Sequence, residues 1–115
     1  MKRLAAPASV DSIPTSAMQE DHVSMGWNAA RKLRRSVDGL ARVLGIEALT
    51  AARGLDMREP LKPADGTGAA HAVIREHVEC CGMDRYLSPE LAVAHRLVAD
   101  GSILDAVEDA IGPLQ

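Results

Sequence analysis

The chain has almost no aromatic side chains. Its 115 residues include one Trp, one Tyr and no Phe, although 47% of the residues are hydrophobic. Ala, Leu and Val must therefore fill most of the core, and such small side chains favour close approach of helices over a bulky β-sandwich. The length suits one domain, and the composition predicts a folded protein rather than a disordered one.

Several other features are missing, and each absence excludes a class of protein. No apolar run approaches the roughly 18 residues of a membrane span, and a net charge of −3 argues against nucleic acid or an anionic membrane as the main partner. The first apolar run is too short for a signal peptide, because Pro7 and Asp11 interrupt it. Two adjacent cysteines, Cys80 and Cys81, do not make a secreted disulfide framework. We therefore predict a cytoplasmic protein with reduced thiols.

The longest pattern in the chain is helical. Prolines at positions 7 and 14 predict an extended arm over residues 1–15, and residues 16–115 then form a helical region. Ser16 and Gln19 have the spacing of a capping box, which predicts a helix over about residues 18–57. Apolar residues recur along it in steps of three and four, at Val23, Trp27, Ala30, Leu33, Val37, Leu40, Leu44, Ala48, Ala51 and Leu55. Trp27 is predicted to pack in the core.

Three shorter helices follow a linker that contains Pro60 and Pro63. The predicted ranges are about 68–81, 88–99 and from Ser102, with Asp105 completing its capping box, to Gly112. The predicted fold is thus all-α, with one very long helix followed by three shorter ones.

A continuous helix over residues 18–57 would be about 60 Å long, whereas a compact domain of this size has a radius of gyration near 13–14 Å. Val43, Ile46 and Leu49 also add a second apolar stripe beside the first. Either the helix breaks near Gly45 or other polypeptides cover it. We favour the second interpretation, which places the chain in a helical bundle of several subunits.

Four consecutive polar residues, Gln19 to His22, stand where the long helix is predicted to begin. Helix capping and the interaction of Glu20 and Asp21 with the helix dipole explain part of this cluster. A helix start needs one cap and one acid, however, so the segment is also a candidate for binding or catalysis.

Two other polar clusters have simpler explanations. His71, His77, Cys80 and Cys81 lack the paired spacing of zinc ligands, so we predict helix-surface or interface residues and no metal site. The basic residues between 31 and 35 are balanced by nearby acids, which predicts a solvated or inter-subunit face and no nucleic-acid binding.

The chain resembles the C-terminal part of histidine ammonia-lyases, in the aromatic amino acid lyase family. The resemblance is most specific over residues 12–26, SIPTSAMQEDHVSMG. It continues through AARK at 29–32, GLDMR at 54–58, LKP at 61–63, DRYLSPE at 84–90 and AVE at 106–108.

The resemblance implies an all-helical homotetramer whose active sites are shared between subunits. The implied reaction is the non-oxidative loss of ammonia from L-histidine to give urocanate, in histidine catabolism. Glu20 matches the family's active-site glutamate, which implies catalysis and substrate binding, and Gln19 beside it is implied to bind substrate or to orient Glu20. No defined role is carried over to His22.

The chain departs from the family in one essential feature. The family's electrophile, a methylidene-imidazolone, forms from an internal Ala-Ser-Gly, whereas here Ala8 and Ser9 precede Val10 and Ala-Ser-Gly is absent from the sequence. We therefore predict a fragment that holds no cofactor and is inactive alone. It would be a split-gene product, a truncation or a relic, whose partners are further copies or an N-terminal lyase part. The alternative is a non-catalytic helical interaction module.

Overall fold

The computed structural model describes residues 2–80 and 82–114. Its elements are α1 (Lys2–Ala5), a 3₁₀ turn (Ala8–Val10), α2 (Gly26–Asp56), α3 (Asp65–His77), α4 (Ser88–Ala99) and α5 (Ser102–Ile111). The only β pairing in these residues is an isolated antiparallel bridge between Thr15 and Glu20. The predicted all-α fold, one long helix followed by three shorter ones, is confirmed.

The long helix begins at Gly26, so the predicted start near residue 18 is wrong. Residues 16–18 have φ angles of 52°, 53° and 71°, whereas a right-handed helix requires φ near −60°. Ser16 and Gln19 therefore form a turn and not a helix cap, with the Gln19 amide donating to the Ser16 carbonyl at 3.1 Å. The Oγ of Ser24 accepts from the Gly26 amide at 3.2 Å and satisfies one free N–H group at the true helix start.

The chain divides into two compact units, residues 1–40 and residues 41–115. None of the described residues 2–40 is buried. Trp27 is 78% exposed, so its predicted place in the core is wrong. The apolar stripe of α2 in this unit is exposed in the same way, at Leu33, Val37 and Leu40.

The core of the second unit joins three helices. Leu49 and Ala52, three residues apart on α2, pack with Ile74 of α3, with Val78 just after it and with Ala94 of α4. The buried face of α2 is shifted by one residue from the main predicted stripe of Leu44, Ala48, Ala51 and Leu55, since the buried residues are Gly45, Leu49 and Ala52. Of these, only Leu49 belongs to a predicted stripe, the second one. Among the described residues, no helix combines the length and apolar character needed to cross a membrane.

The shorter helices lie close to their predicted ranges. α3 begins at Asp65 and ends at His77, a few residues earlier than predicted, and α4 matches its prediction. The predicted capping box at the start of α5 is wrong: the carboxylate of Asp100 accepts from the amide and hydroxyl of Ser102 at 3.0 and 2.6 Å. Gly101, with φ of 87°, makes the turn between α4 and α5.

Gly45 is a point of close helix contact and not a break. α2 continues through it, and the residue is buried. A Cβ atom placed on Gly45 would lie 2.8 Å from the amide nitrogen of His95 and 2.9 Å from the carbonyl carbon of Ala94. Because these are backbone atoms, α4 would have to move to accept any larger residue at position 45.

Asp56, the last residue of α2, ties that helix to α3. Its Oδ1 lies 2.6 Å from Nε2 of His71, and its Oδ2 accepts from Nη2 of Arg75 at 2.5 Å. The Asp56 side chain is only 11% exposed. Burial raises the pKa of Asp56, but hydrogen bonds from Arg75, His71 and Cys80 outweigh it and lower that pKa from 3.8 to about 2.

We expect Gly45→Ala to destabilise the second unit by roughly 1–2 kcal/mol. Overpacking costs about 1–3 kcal/mol, and backbone atoms within 3.0 Å of the added Cβ put Gly45 in the upper part of that range. Subtracting the gain of about 1 kcal/mol from replacing a helical glycine leaves this net loss. Gly54→Ala is the matched control, since nothing lies within 4 Å of its added Cβ, and it should stabilise by up to about 1 kcal/mol. Urea denaturation followed by circular dichroism measures both; a Gly45→Ala variant as stable as the parent would contradict the close contact.

The Asp56 cluster predicts a loss of stability in acid. The carboxylate contributes fully above the unfolded-state pKa of 3.8, and its contribution disappears as the pH falls through the folded-state pKa of about 2. We expect about 1–2 kcal/mol, allowing for solvent screening at the open edge of the cluster. Denaturation at pH 6 and pH 2 of the parent and of Asp56→Asn gives this difference, with the exposed Asp109→Asn as control. An Asp56→Asn deficit of equal size at both pH values would contradict it.

Candidate active site

The polar cluster singled out by the sequence lies on a pinched loop, residues 12–23, here called the Glu20 loop. Thr15 and Glu20 face each other across it: the Thr15 amide donates to the Glu20 carbonyl at 2.8 Å, and the Glu20 amide donates to the Thr15 carbonyl at 3.2 Å. This exchange of two bonds is the hydrogen-bonded pair of an antiparallel ladder. The loop belongs entirely to the first unit.

The tip of the Glu20 loop is left-handed. Residues 16–18 all have positive φ, and none of them is glycine. Such a conformation costs about 1–2 kcal/mol per residue, and runs of it are rare. The paired residues on either side must hold the tip in place, and strained backbone of this kind is often found at functional sites.

The base of the loop is closed by one hydroxyl group. The Oγ of Ser12 donates to the Val23 carbonyl at 3.1 Å and accepts from the Val23 amide at 2.8 Å. Ser12 lies opposite Val23 in the same antiparallel register that sets Thr15 opposite Glu20. The Ser12 hydroxyl therefore joins the two sides of the loop at its base by two hydrogen bonds, as the backbone groups of Thr15 and Glu20 join them nearer the tip.

The Glu20 carboxylate stands at the surface of this frame. Its Oε2 accepts a hydrogen bond from the Thr15 hydroxyl at 3.1 Å. Gln19, Asp21 and His22 are exposed beside it, so the loop presents all four predicted polar side chains to the outside. A carboxylate held in this way can pair with a cationic group or exchange a proton with a bound molecule.

Thr15 is the hydrogen-bond partner of Glu20 that the sequence did not single out. It stands five residues before Glu20, at the end of the predicted extended arm, whereas Glu20 was predicted to lie in the helix that follows. The sequence therefore offered no reason to expect a contact between the two side chains. Its contact with Glu20 exists only because the segment turns back on itself. The sole sequence signal is the β-branched side chain, which is favoured in extended segments.

The histidine and cysteine residues considered as metal ligands are used differently. His71 and Cys80 bond to Asp56, and Nδ1 of His77 lies 3.0 Å from the carbonyl of Val73 in its own helix. Cys81 lies outside the described residues. Among residues 2–80 and 82–114, no cluster of His, Cys, Asp or Glu could hold a metal ion.

A cavity of about 310 Å³ lies in the second unit, between α2, α3, α4 and the segment that precedes α4. Leu49 and Leu91 contribute apolar walls. Two of its arginines have acidic partners: Arg75 pairs with Asp56, and Arg85 donates to Glu90 at 2.6 and 3.2 Å. These two ion pairs link elements of the second unit to one another.

The electrophile implied by the family resemblance does not fit this chain. The nearest sequence, Ala8-Ser9-Val10, forms a 3₁₀ turn. Its third residue is Val10 and not glycine, and the Val10 side chain is 78% exposed. Residues 8–10 therefore supply no Ala-Ser-Gly from which the ring could form.

Comparison with known proteins identifies the family of the chain. The model of the aromatic amino acid lyases matches residues 1–76, which include the whole Glu20 loop. The chain is 55% identical over 115 residues to histidine ammonia-lyase of Streptomyces avermitilis, covering 99% of the chain and 22% of that protein. The corresponding enzyme of Streptomyces coelicolor is 53% identical and is covered to 23%. The chain thus spans about a fifth of the length of these relatives.

Solved structures show the same fold. Histidine ammonia-lyase from Trypanosoma cruzi superposes with a TM-score of 0.86 at 34% identity, over 96% of this chain and 22% of that one. Tyrosine aminomutase from Streptomyces globisporus superposes with a TM-score of 0.87 at 27% identity, over 97% of this chain and 22% of that one. The sequence match and the superposed helices together show that the chain belongs to the aromatic amino acid lyase family.

Proposed function

We propose that this chain forms the C-terminal part of a histidine ammonia-lyase and contributes Glu20 to its active site. The observation that carries the proposal is the Glu20 loop, which lies inside the family match and holds the Glu20 carboxylate outward on a strained backbone closed at two places. The relatives at 53–55% identity are histidine ammonia-lyases. This supports L-histidine as substrate and urocanate as product.

The proposed role of Glu20 is contact with the bound substrate. Its Oε2 is bonded to Thr15, and the carboxylate would use its remaining hydrogen-bonding capacity to pair with the cationic group of the substrate or to move a proton. Gln19 beside it is exposed and would bind substrate or help to orient Glu20.

The proposed site is composite. The chain has no Ala-Ser-Gly, and it spans about a fifth of its relatives. The electrophile would therefore come from an N-terminal lyase part, and the 115 residues alone would be inactive. Assembly into a homo-oligomer with shared sites is the proposed context, as the resemblance implies, and the cytoplasm is the proposed compartment.

A second candidate function is a non-catalytic helical interaction module. It is favoured by the exposed apolar stripe of α2 in the first unit, where Leu33, Val37 and Leu40 are 65%, 59% and 53% exposed. Their spacing of four and three is that of a helix–helix seam. The same stripe would also serve as an assembly surface in the enzyme. A measurement of assembly therefore does not distinguish the two candidate functions, whereas a measurement of activity does.

A chimeric enzyme tests the proposal. The segment of the Streptomyces avermitilis enzyme that matches this chain is replaced by residues 1–115, and urocanate formation from L-histidine is followed by its absorbance. We expect an active enzyme, and we expect Glu20→Gln to lower kcat/KM by about 10²-fold or more, since such groups typically contribute 10²–10⁴-fold.

The matched control is Glu59→Gln, which alters an exposed carboxylate in the linker before α3. It should leave kcat/KM unchanged. An assembled chimera without activity would favour the interaction module, and full activity of Glu20→Gln would exclude the proposed role of Glu20.

A further inference from the structure

We propose that Thr15 is a positioning residue for Glu20. The inference rests on the proposed function, because it concerns how the carboxylate is held for the same substrate. The Thr15 hydroxyl donates to Oε2 of Glu20 at 3.1 Å. Thr15 itself need not touch the substrate; it acts by fixing the direction in which Glu20 points.

The backbone pairing favours this contact. Thr15 and Glu20 exchange both of their backbone hydrogen bonds, and side chains of such a directly opposed pair project from the same face. The β-branched side chain of Thr15 has few favoured rotamers. Its hydroxyl is therefore held near the carboxylate before any substrate binds.

The register of the loop protects the pairing. A slip by one residue would move Glu20 to the opposite face and separate it from Thr15. Two features prevent such a slip: the left-handed tip at residues 16–18 fixes the length of the turn, and the double hydrogen bond between Ser12 and Val23 fixes the base. In this arrangement the left-handed tip makes the turn that brings Thr15 and Glu20 opposite each other.

The chemical consequence is a carboxylate with two unequal oxygens. Oε2 accepts a hydrogen bond from the Thr15 hydroxyl, so Oε1 would offer more acceptor capacity to the substrate than Oε2 does. A neutral hydroxyl donor orients the carboxylate and leaves its charge in place, whereas a lysine or arginine would neutralise it. Because catalytic rates fall steeply when a reacting group is misplaced, the effect should appear mainly in kcat.

The test uses the chimeric enzyme that carries residues 1–115. Thr15→Val keeps the β-branched shape and removes the donor, and Thr15→Ser keeps the donor. We expect Thr15→Val to lower kcat about tenfold with KM changed less than twofold, and Thr15→Ser to restore kcat to within about threefold of the parent. In the Glu20→Gln background, Thr15→Val should have no further effect, because residues that act through one group are not additive.

The outcomes separate the inference from the proposed function. Loss of activity in Glu20→Gln together with parental kcat in Thr15→Val would overturn the inference and leave the proposed function standing. Thr15→Val that lowers kcat by the same factor with and without Glu20 would show a merely structural role and would also overturn the inference. Full activity of Glu20→Gln would overturn both.

Discussion

The pairing of Thr15 with Glu20 is the interaction on which the candidate site depends. Two backbone hydrogen bonds and one side-chain bond join the residues, and they must hold a left-handed tip that costs several kcal/mol. Without the pair, residues 16–18 would lose the hydrogen bonds that hold them left-handed, and the Glu20 carboxylate would lose its fixed position. The carboxylate is fixed because the frame beneath it is closed twice, once by backbone groups and once by the Ser12 hydroxyl.

The second unit obeys a different constraint, which is close approach. Gly45 allows the backbone of α4 to contact α2 directly, and Ala94 at that contact is fully buried. A chain nearly free of aromatic residues can build a tightly packed core in this way, because small residues let the helices approach closely enough that no large side chains are needed to fill the space between them. Asp56 then joins the end of α2 to α3 through an ion pair and hydrogen bonds. The part of α2 in the second unit is therefore held at two points, against α4 at Gly45 and to α3 at Asp56.

The sequence predicted the helices well and the loop poorly, for physical reasons. Helices repeat every 3.6 residues, so the apolar stripe of α2 is visible in the sequence. Ser16 and Gln19 have the spacing of a capping box whether they begin a helix or form a turn, so the pattern did not distinguish the two. Positive φ angles in residues 16–18 were not predictable, because none of these residues is glycine. The importance of Glu20 came from the family resemblance. Thr15 was missed because its contact spans the turn. Gly45 was considered as a break in the helix, and only its packing against α4 shows that it is a close contact.

The most direct test of the Thr15–Glu20 pairing is the solution NMR spectrum of the 115-residue chain. The pairing predicts a nuclear Overhauser contact between the amide protons of Thr15 and Glu20, which the exchanged hydrogen bonds bring together. It also predicts strong contacts between amide and α protons within each of residues 16–18, as positive φ requires. A continuous series of helical contacts, three and four residues apart from Ser16 into α2, would contradict the loop and the positioning of Glu20 with it.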